Sequence, residues 1–385
     1  MAGPLGVALI GCGYIADSYR ACLPAHADAL RLTGVFDRDP ERLQAYVSCW
    51  GDLAYASVED VLADPAVAIV INATDPENHG TITRAALKTG KHVYSEKPLA
   101  MTRSESCELR DLAASRGLRL AAAPCNILGE SAQTLIAAVL NGKIGAPRLV
   151  YAEIDDGMIH KADYRNWLSR SGRAWPARGE FEVGCTYEHA GYALTVLCAM
   201  FGPVLRVTSF AALLIAEKET DPPLPHPAPD FSVGLLEFDG GVVARLTNSV
   251  VAPCDHRMRV IGDEGSLEVK EIWDYACPVK FRPVSQGRVA RYVERKFDGV
   301  GLARTVPMAR KPTFIRKAGG PSMDFPRGVV ELATAINEDR PCRLDADFAV
   351  HIAEVTEMLQ YPERFDRPAN VQSQFSPVAR MDWAK

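Results

Sequence analysis

The sequence predicts an α/β protein that begins with a doubly wound parallel sheet and continues into a second α/β domain. Short apolar segments alternate with helical segments over residues 5–123, a glycine-rich turn joins the first pair, and an acidic residue ends the second apolar segment. This alternation favours a parallel sheet covered by helices on both faces, with its ligand at the carboxyl ends of the strands. We expect one domain at residues 1–124 and another at 125–385.

The composition agrees with two soluble domains and excludes several classes of protein. The chain has 385 residues, 48% hydrophobic and 24% charged content, and a formal net charge of -5, which favours neither nucleic acid nor anionic lipid as a partner. No apolar run approaches the roughly 20 residues that span a membrane. The N-terminus lacks the basic segment of a signal peptide, so we expect a cytoplasmic protein. The cysteines have no metal-ligand spacing, and no metal site is predicted.

The first predicted strand, Leu5–Ile10, runs into a G-x-G-x-x-A turn followed by a helical pattern. Gly11 permits the tight turn, Gly13 lets the backbone approach a pyrophosphate, and Ala16 lets the helix pack on the strand. The phosphates would then lie at the helix N-terminus. The pattern predicts a Rossmann dinucleotide site that includes Gly11, Cys12, Gly13, Tyr14 and Ile15.

The second predicted strand, Leu30–Phe36, ends at Asp37. An acidic residue about 20 positions beyond the glycine turn binds the adenosine ribose in such sites. Asp37 therefore favours NAD as the cofactor. Arg38 beside it can instead bind a 2′-phosphate, which leaves NADP open.

The alternation of strands and helices continues along the first domain. The predicted strands are Ala68–Ala73, His92–Ser95 and Leu118–Ala123, and the predicted helices are Asn78–Thr89 and Thr102–Arg116. Polar residues follow each strand at the edge where a cofactor binds. The candidates there are Thr74, Asp75, Asn78, His79, Glu96, Lys97 and Asn126.

These motifs resemble the Gfo/Idh/MocA family of oxidoreductases. The matching segments are GCGYIA at 11–16, TDPENH at 74–79, GKHV at 90–93 and EKPL at 96–99, with NGKIG at 141–145 and IGDEGSL at 261–267 in the second half. The resemblance implies a C-terminal α/β domain with a large, mostly antiparallel, open-faced sheet. It also implies NAD(P) in the cleft between the domains, substrates that are sugars or polyols, and homodimers or homotetramers.

Lys97 is the first candidate catalytic residue. It follows a predicted strand and precedes Pro98, so we expect it to face the cleft, although an exposed pair with Glu96 is the alternative. A lysine beside a nicotinamide can hydrogen-bond the reacting hydroxyl, stabilise a developing oxyanion or move a proton. Asn126 is expected to hold the nicotinamide ribose or a substrate hydroxyl.

The second candidate group lies on a helix predicted to open at residues 184–192 and to stop at Gly202. The family resemblance places its Asp-x-x-x-His pair at Glu188 and Tyr192, which share one helix face. Tyrosine here replaces the family's histidine, and His189 is one step away. Both Tyr192 and His189 therefore remain candidates for the acid–base group. Glu188 either binds a substrate hydroxyl or is a carboxylate favoured at a helix start.

A third group combines aromatic and arginine side chains. Rings and guanidinium groups suit a carbohydrate pocket, although a loop packed over the sheet explains the same pattern. The expected substrate-binding residues are Tyr164, Arg165, Trp167, Arg170 and Trp175.

Three further segments carry weaker expectations. The proline-rich segment Glu219–Asp230 predicts a surface loop between strands. The basic segment 280–317 is either a solvated insertion or meets an acidic group on the substrate or on a partner subunit. Helices around Phe325–Asn337 and Asp345–Leu359 are expected to cover the sheet.

Three functions follow from these observations. The first is a dehydrogenase that passes hydride from a secondary hydroxyl of a sugar, glycoside or cyclitol to the nicotinamide. The second is glycoside cleavage or epimerisation through transient oxidation, with no net redox change. The third is a regulatory protein that binds NAD and has lost catalysis.

Overall fold

The computed structural model describes residues 3–284, 287–297, 303–313 and 322–385. Its first sheet has five parallel strands in the described chain, in the order β2-β1-β3-β4-β5, as predicted. The central strands are buried on both faces because helices cover both. The strands are β1 (Leu5–Ile10), β2 (Leu30–Phe36), β3 (Ile69–Asn72), β4 (His92–Ser95) and β5 (Leu120–Ala122).

Helices lie on both faces of this sheet. On one face, α4 packs against α5 and against β3 and β4. On the other, α2 packs against β2, and Tyr19 of α1 contacts the ring of Tyr94. The helices of this region are α1 (Ala16–Cys22), α2 (Pro40–Trp50), α3 (Val58–Ala63), α4 (His79–Lys88) and α5 (Arg103–Ser115).

A strand that the sequence did not reveal completes the order of this sheet. Ala54 forms an isolated parallel bridge with Val35 at the β2 edge. Counting that bridge as a reduced third strand gives the order 3-2-1-4-5-6 of dinucleotide-binding sheets. A single bridged residue leaves no hydrophobic period in the sequence, so this strand could not be predicted.

The second sheet has nine strands among the described residues, in the order β13-β12-β11-β10-β6-β9-β8-β7-β14. Neighbouring strands pair antiparallel except for β6 and β9, which are parallel, and the expected mostly antiparallel sheet is confirmed. The strands are β6 (Pro147–Asp155), β7 (Val204–Ala212), β8 (Phe231–Phe238), β9 (Val243–Ser249), β10 (Met258–Gly262), β11 (Gly265–Val269), β12 (Lys280–Pro283), β13 (Arg304–Thr305) and β14 (Ala369–Asn370).

Helices cover one face of the second sheet. The buried helix α8 packs on β6, β8 and β9, while α6 packs against α8 and β11. On the opposite face, large apolar side chains such as Phe210 and Leu235 are about half exposed. The helices of this half are α6 (Glu130–Leu140), α7 (Ala177–Val183), α8 (Cys185–Phe201), α9 (Arg288–Phe297), α10 (Arg327–Asn337) and α11 (Ala346–Gln360).

Both of the last two helices contact the first sheet, and α11 also packs on the second. Helix α10 contacts β4 and β5, and α11 contacts α5 and β5 on one side and β7 and β8 on the other. Val350 of α11 is fully buried in the core of the first sheet. Because α11 is apolar around most of its circumference, it is stable only between two layers. The expectation that these helices merely cover one sheet was therefore too narrow.

The proline-rich segment lies between β7 and β8 as irregular chain, as predicted. It is tied down by a buried ion pair, in which Lys218 Nζ lies 2.6 Å from Asp230 Oδ2. In the part of the chain that the structure describes, no helix has the length and apolar character needed to cross a membrane.

Candidate active site

The glycine turn after β1 is shaped to receive a ligand. Gly11 has a φ of +99°, and a Cβ there would lie 2.4 Å from the carbonyl oxygen of Ala73, so only glycine fits. A Cβ on Gly13 would meet no atom within 4 Å. Gly13, Tyr14 and Ile15 line a cleft of about 860 Å³, within the size range of small-molecule sites.

Asp37 supports this turn from the end of β2. Its carboxylate accepts hydrogen bonds from the backbone N–H groups of Cys12 at 2.7 Å and Asp39 at 2.9 Å. Cys12 and Asp37 are both buried. Arg38, the alternative phosphate ligand, is largely exposed and lies 3.7 Å from Asp75. Arg42, which the sequence reasoning did not single out, lines the cleft instead.

Polar residues after β3 and β4 continue the cleft. Thr74, Asp75, His79 and Glu96 line it, as predicted, whereas Asn78 does not. The ring nitrogens of His79 lie 2.6 Å from the carbonyl oxygen of Pro98 and 2.9 Å from that of Thr74. Burial lowers the pKa of His79. These contacts make His79 a support of the cleft wall.

Lys97 and Glu188 meet where the two halves of the chain face each other. Lys97 follows β4, Glu188 lies on the first turn of α8, and Lys97 Nζ donates a hydrogen bond to Glu188 Oε2. Burial alone would lower the pKa of Lys97, but the charges of Glu188 and Glu180 outweigh this and raise it above its usual range. Lys97 is therefore a cation in the cleft, and the alternative of a surface pair with Glu96 is wrong.

The two acid–base candidates on α8 both line the cleft but differ in protonation. Burial lowers the pKa of His189, with Lys97 adding to the effect and Asp156 opposing it. Burial raises the pKa of Tyr192. At neutral pH His189 is thus a neutral base and Tyr192 a neutral hydrogen-bond donor. His189 Nε2 lies 3.7 Å from Asp156 Oδ2.

A charged network behind His189 was missed by sequence reasoning. His256 Nδ1 lies 2.9 Å from Glu271 Oε2, and its Nε2 lies 3.3 Å from Asp156 Oδ1. Its ring stacks on Trp273 with 4.1 Å between centroids, and Tyr192 contacts the same indole. These residues come from separate segments, so no spacing in the sequence connects them.

Burial and neighbouring charges also shift the pKa values of two carboxyl groups in the network. Burial, with the neighbouring charge of Glu188, raises the pKa of Glu180 well above its usual range. Burial tends to raise the pKa of Asp156 as well, but His189 and His256 hold it below its usual value. The cleft therefore offers both hydrogen-bond donors and acceptors to a hydroxylated ligand.

Several expected site residues lie elsewhere. Asn126 is fully buried, donates from Nδ2 to the carbonyl oxygen of Tyr192 at 2.8 Å and accepts from Thr195 Oγ1 at 3.2 Å. These two hydrogen bonds occupy both ends of its amide and fix the third turn of α8 against the end of β5. Asn126 thus positions the helix and does not line the cleft.

Only Trp175 of the aromatic and arginine group lines the cleft. Tyr164 is buried against Phe181 and donates to the carbonyl oxygen of Lys218. The other three residues do not line the cleft, so their predicted substrate contacts are not supported. Arg165 donates to the carbonyl oxygen of Glu219, Trp167 contacts Trp175 edge-on, and Arg170 stacks on Trp50. The combination of aromatic and arginine residues in this segment did not show which side chains point into the cleft.

The basic segment 280–317 lies partly outside the described residues. Within its described part, no residue lines the cleft. Arg310 is committed to an internal contact, since its guanidinium lies 2.9 Å from the fully buried Glu130 and 4.1 Å from the ring of Trp383. For Arg310 the hypothesis of contact with an acidic substrate is therefore wrong.

Comparison with known proteins places both halves of the chain. Residues 5–123 match a family described as an oxidoreductase family with an NAD-binding Rossmann fold. Residues 132–268 match the GFO/IDH/MocA C-terminal domain.

Individual relatives are similar over much of the chain. A dTDP-3,4-didehydro-2,6-dideoxy-alpha-D-glucose 3-reductase of Streptomyces violaceoruber is 27% identical over 87% of this chain and 92% of its own. A 1-carboxy-3-chloro-3,4-dihydroxycyclohexa-1,5-diene dehydrogenase of Comamonas testosteroni is 25% identical over 57% of this chain, which spans only 52% of that relative. The WlbA dehydrogenase of Bordetella pertussis, solved with NADH and UDP-GlcNAcA, has a TM-score of 0.70 and 17% identity, covering 94% of this chain and 96% of its own.

Proposed function

Because the chain belongs to the GFO/IDH/MocA family of NAD-binding oxidoreductases, we propose that it oxidises a secondary hydroxyl of a sugar or polyol with a nicotinamide cofactor. Residues 1–124 would hold the dinucleotide and residues 125–385 the substrate. One observation carries the proposal. The cleft that begins at the glycine turn contains Lys97 of the first domain, paired with Glu188 of the second.

The residues of the first domain fit the cofactor. Open space beside Gly13 leaves room for a pyrophosphate against the backbone, and a cleft-lining Arg42 supplies positive charge. The nicotinamide, when bound, accepts the hydride that leaves the substrate carbon. The experiment described below tests whether NAD or NADP is preferred.

Lys97 binds the reacting oxygen in this proposal. Its ammonium is charged, so it donates a hydrogen bond to the substrate hydroxyl and stabilises the negative charge that develops there as the proton leaves. The pair with Glu188 fixes its position, which reduces the reorganisation needed during reaction. A lysine with a raised pKa is a poor proton acceptor.

His189 takes the hydroxyl proton. It is neutral in the cleft, and Asp156 is close enough to stabilise the imidazolium that forms. Tyr192 keeps its proton and donates a hydrogen bond to the substrate. The proposal thus takes His189 as the acid–base group and Tyr192 as a hydrogen-bond donor, a choice that the sequence left open.

A hydroxyl-rich substrate suits the rest of the cleft. Glu188 and Asp156 accept hydrogen bonds from hydroxyl groups, Tyr192 donates one, and Trp175 and Trp273 offer ring faces to C–H groups of a sugar ring. The relatives agree in class, since they are named for a deoxysugar reductase, a dihydroxylated-ring dehydrogenase and a complex with NADH and a nucleotide sugar.

The experiment is to denature the purified protein, identify any released nucleotide, and then assay absorbance at 340 nm with NAD or NADP against sugars, glycosides and cyclitols. We expect reduced nucleotide to form with at least one polyol. Retained nucleotide without net reduction, together with cleavage or epimerisation of a glycoside, would replace the dehydrogenase with transient oxidation. Nucleotide binding with no conversion of any polyol would contradict the proposal and favour a regulatory protein.

A further inference from the structure

A short loop of the second half of the chain is fastened onto the first domain. The loop, residues 168–174, is closed by a bridge between Leu168 and Ala174. At its tip the backbone N–H and the hydroxyl of Ser171 both donate to Asp17 Oδ2, each at 2.8 Å. Asp17 lies on α1, directly after the glycine turn, and is only 6% exposed. We call residues 168–174 the strap.

A second set of contacts holds the strap to α2. The guanidinium of Arg170 lies 4.1 Å from the ring of Trp50, and Cys49 Sγ contacts the carbonyl oxygen of Arg170. Trp50 Nε1 in turn donates to Asp17 Oδ1. The strap therefore crosses from the second domain to α1 and α2, and Arg173, two residues after its tip, lies at the cleft.

Arg173 of the strap and Arg42 of α2 line that end of the cleft together with Gly13 and Tyr14. The Nε atoms of both arginines are buried and have no hydrogen-bond partner among the described residues. The nearest carboxylates to Arg42 are 3.7 Å away at Asp39 and 3.9 Å away at Asp37, too far for hydrogen bonds. An unpaired guanidinium donor costs free energy, and the outer N–H groups of an arginine that lines the cleft can bind an anion there.

We propose that Arg173 and Arg42 bind a phosphate group of the dinucleotide from opposite sides of the cleft. The inference rests on the proposed function, because it needs a dinucleotide in this cleft. Guanidinium groups match phosphate oxygens in geometry and charge. The strap thus makes the second domain part of the cofactor site. Two phosphate positions share this chemistry, the diphosphate beside Gly13 and a ribose 2′-phosphate beside Asp37.

The site explains why a strap is needed. The carboxylates of Asp37 and Asp39 lie beside Arg42 and would repel a phosphate that had Arg42 as its single cationic partner. A second cation supplied by Arg173 balances these two carboxylates, so that the local charge no longer repels a phosphate.

The test measures binding of ADP-ribose and of 2′-phospho-ADP-ribose by isothermal titration calorimetry at constant ionic strength. Arg173→Met and Arg42→Met remove one guanidinium each, and both variants are checked for folding by circular dichroism. Arg165→Met is the matched control, since Arg165 lies on the same segment but outside the cleft. We expect each cleft variant to weaken binding at least ten-fold and the control to leave it unchanged.

The pattern of loss identifies the phosphate. Equal weakening for both ligands assigns the arginines to the diphosphate, and weakening confined to the 2′-phosphorylated ligand assigns them to the 2′-phosphate of NADP. Wild-type affinity for both ligands in the folded Arg173→Met variant would overturn the inference while leaving the proposed function intact. Failure of the wild-type protein to bind either ligand would instead overturn the proposed function.

Discussion

Replacing His256 with glutamine tests the charged network behind the cleft. Burial alone would lower the pKa of His256, but hydrogen bonds to Asp156 and Glu271 outweigh it and raise the pKa from 6.5 to about 9. That difference corresponds to about 3 kcal/mol of stabilisation, of which about 2.5 kcal/mol remains at pH 7. Glutamine keeps the volume and a hydrogen-bond donor but carries no charge.

The sign of the pH dependence follows from proton binding. The folded chain holds the His256 proton more tightly than the unfolded chain, so this stabilisation is complete below about pH 6.5 and is lost as the pH rises through about 9. The free energy of unfolding should therefore differ between wild type and His256→Gln by about 3 kcal/mol at pH 6. The difference should shrink by pH 10 to the part that comes from packing on Trp273.

The assay is urea denaturation of both proteins at several pH values from 6 to 10. Other groups near His256, including Cys254 and Asp155, are present in both proteins, so their titration cancels to first order in the difference. His226→Gln, in the exposed loop before β8, controls for the loss of a histidine as such. A difference that stays constant across this pH range would refute the reasoning, because packing alone would then explain it.

Three further predictions follow from the geometry. Gly13→Ala should leave the melting temperature unchanged, because its Cβ meets no protein atom, but it should weaken dinucleotide binding at least ten-fold by calorimetry. Gly11→Ala should lower the melting temperature itself, because its Cβ would clash with Ala73. Equal effects of the two substitutions would contradict these roles. Glu130→Gln should cost about 3 kcal/mol of unfolding free energy in urea, because it removes the buried carboxylate that pairs with both Arg327 and Arg310 and leaves Arg327 with Asp324 alone, and a change near zero would refute this. His189→Asn should lower kcat by about 10²- to 10⁴-fold and Tyr192→Phe by far less, and the reverse order would make Tyr192 the base.

Local patterns predicted the first domain well. The strands Leu5–Ile10, Leu30–Phe36 and His92–Ser95 have the predicted bounds, because apolar runs and the turn residues that end them are encoded in adjacent positions. The sequence also placed Lys97 after a strand and Glu188 at the start of a helix, but their ion pair was not predicted and appears only in the structure.

Contacts set by sheet register could not be predicted in the same way. Asp156, His256 and Glu271 meet because Asp155 bridges Asp255 and His256 bridges Glu271. The first of these bridges joins segments 100 residues apart along the chain and the second joins segments 15 residues apart, and one sequence contains no sign of either. The aromatic and arginine group failed for a related reason: composition indicated a pocket wall, but the packing of Tyr164 and Arg170 turned them away from the cleft.

The central claim is that Lys97 stabilises the reacting oxygen in the cleft between the two domains. The most direct measurement is single-turnover hydride transfer, followed at 340 nm, for wild type and Lys97→Met with the best polyol found in the screen. We predict a loss of about 10²- to 10⁴-fold in the rate of transfer, while the dissociation constant for the dinucleotide changes less than two-fold. Transfer at the wild-type rate in the variant would contradict the account.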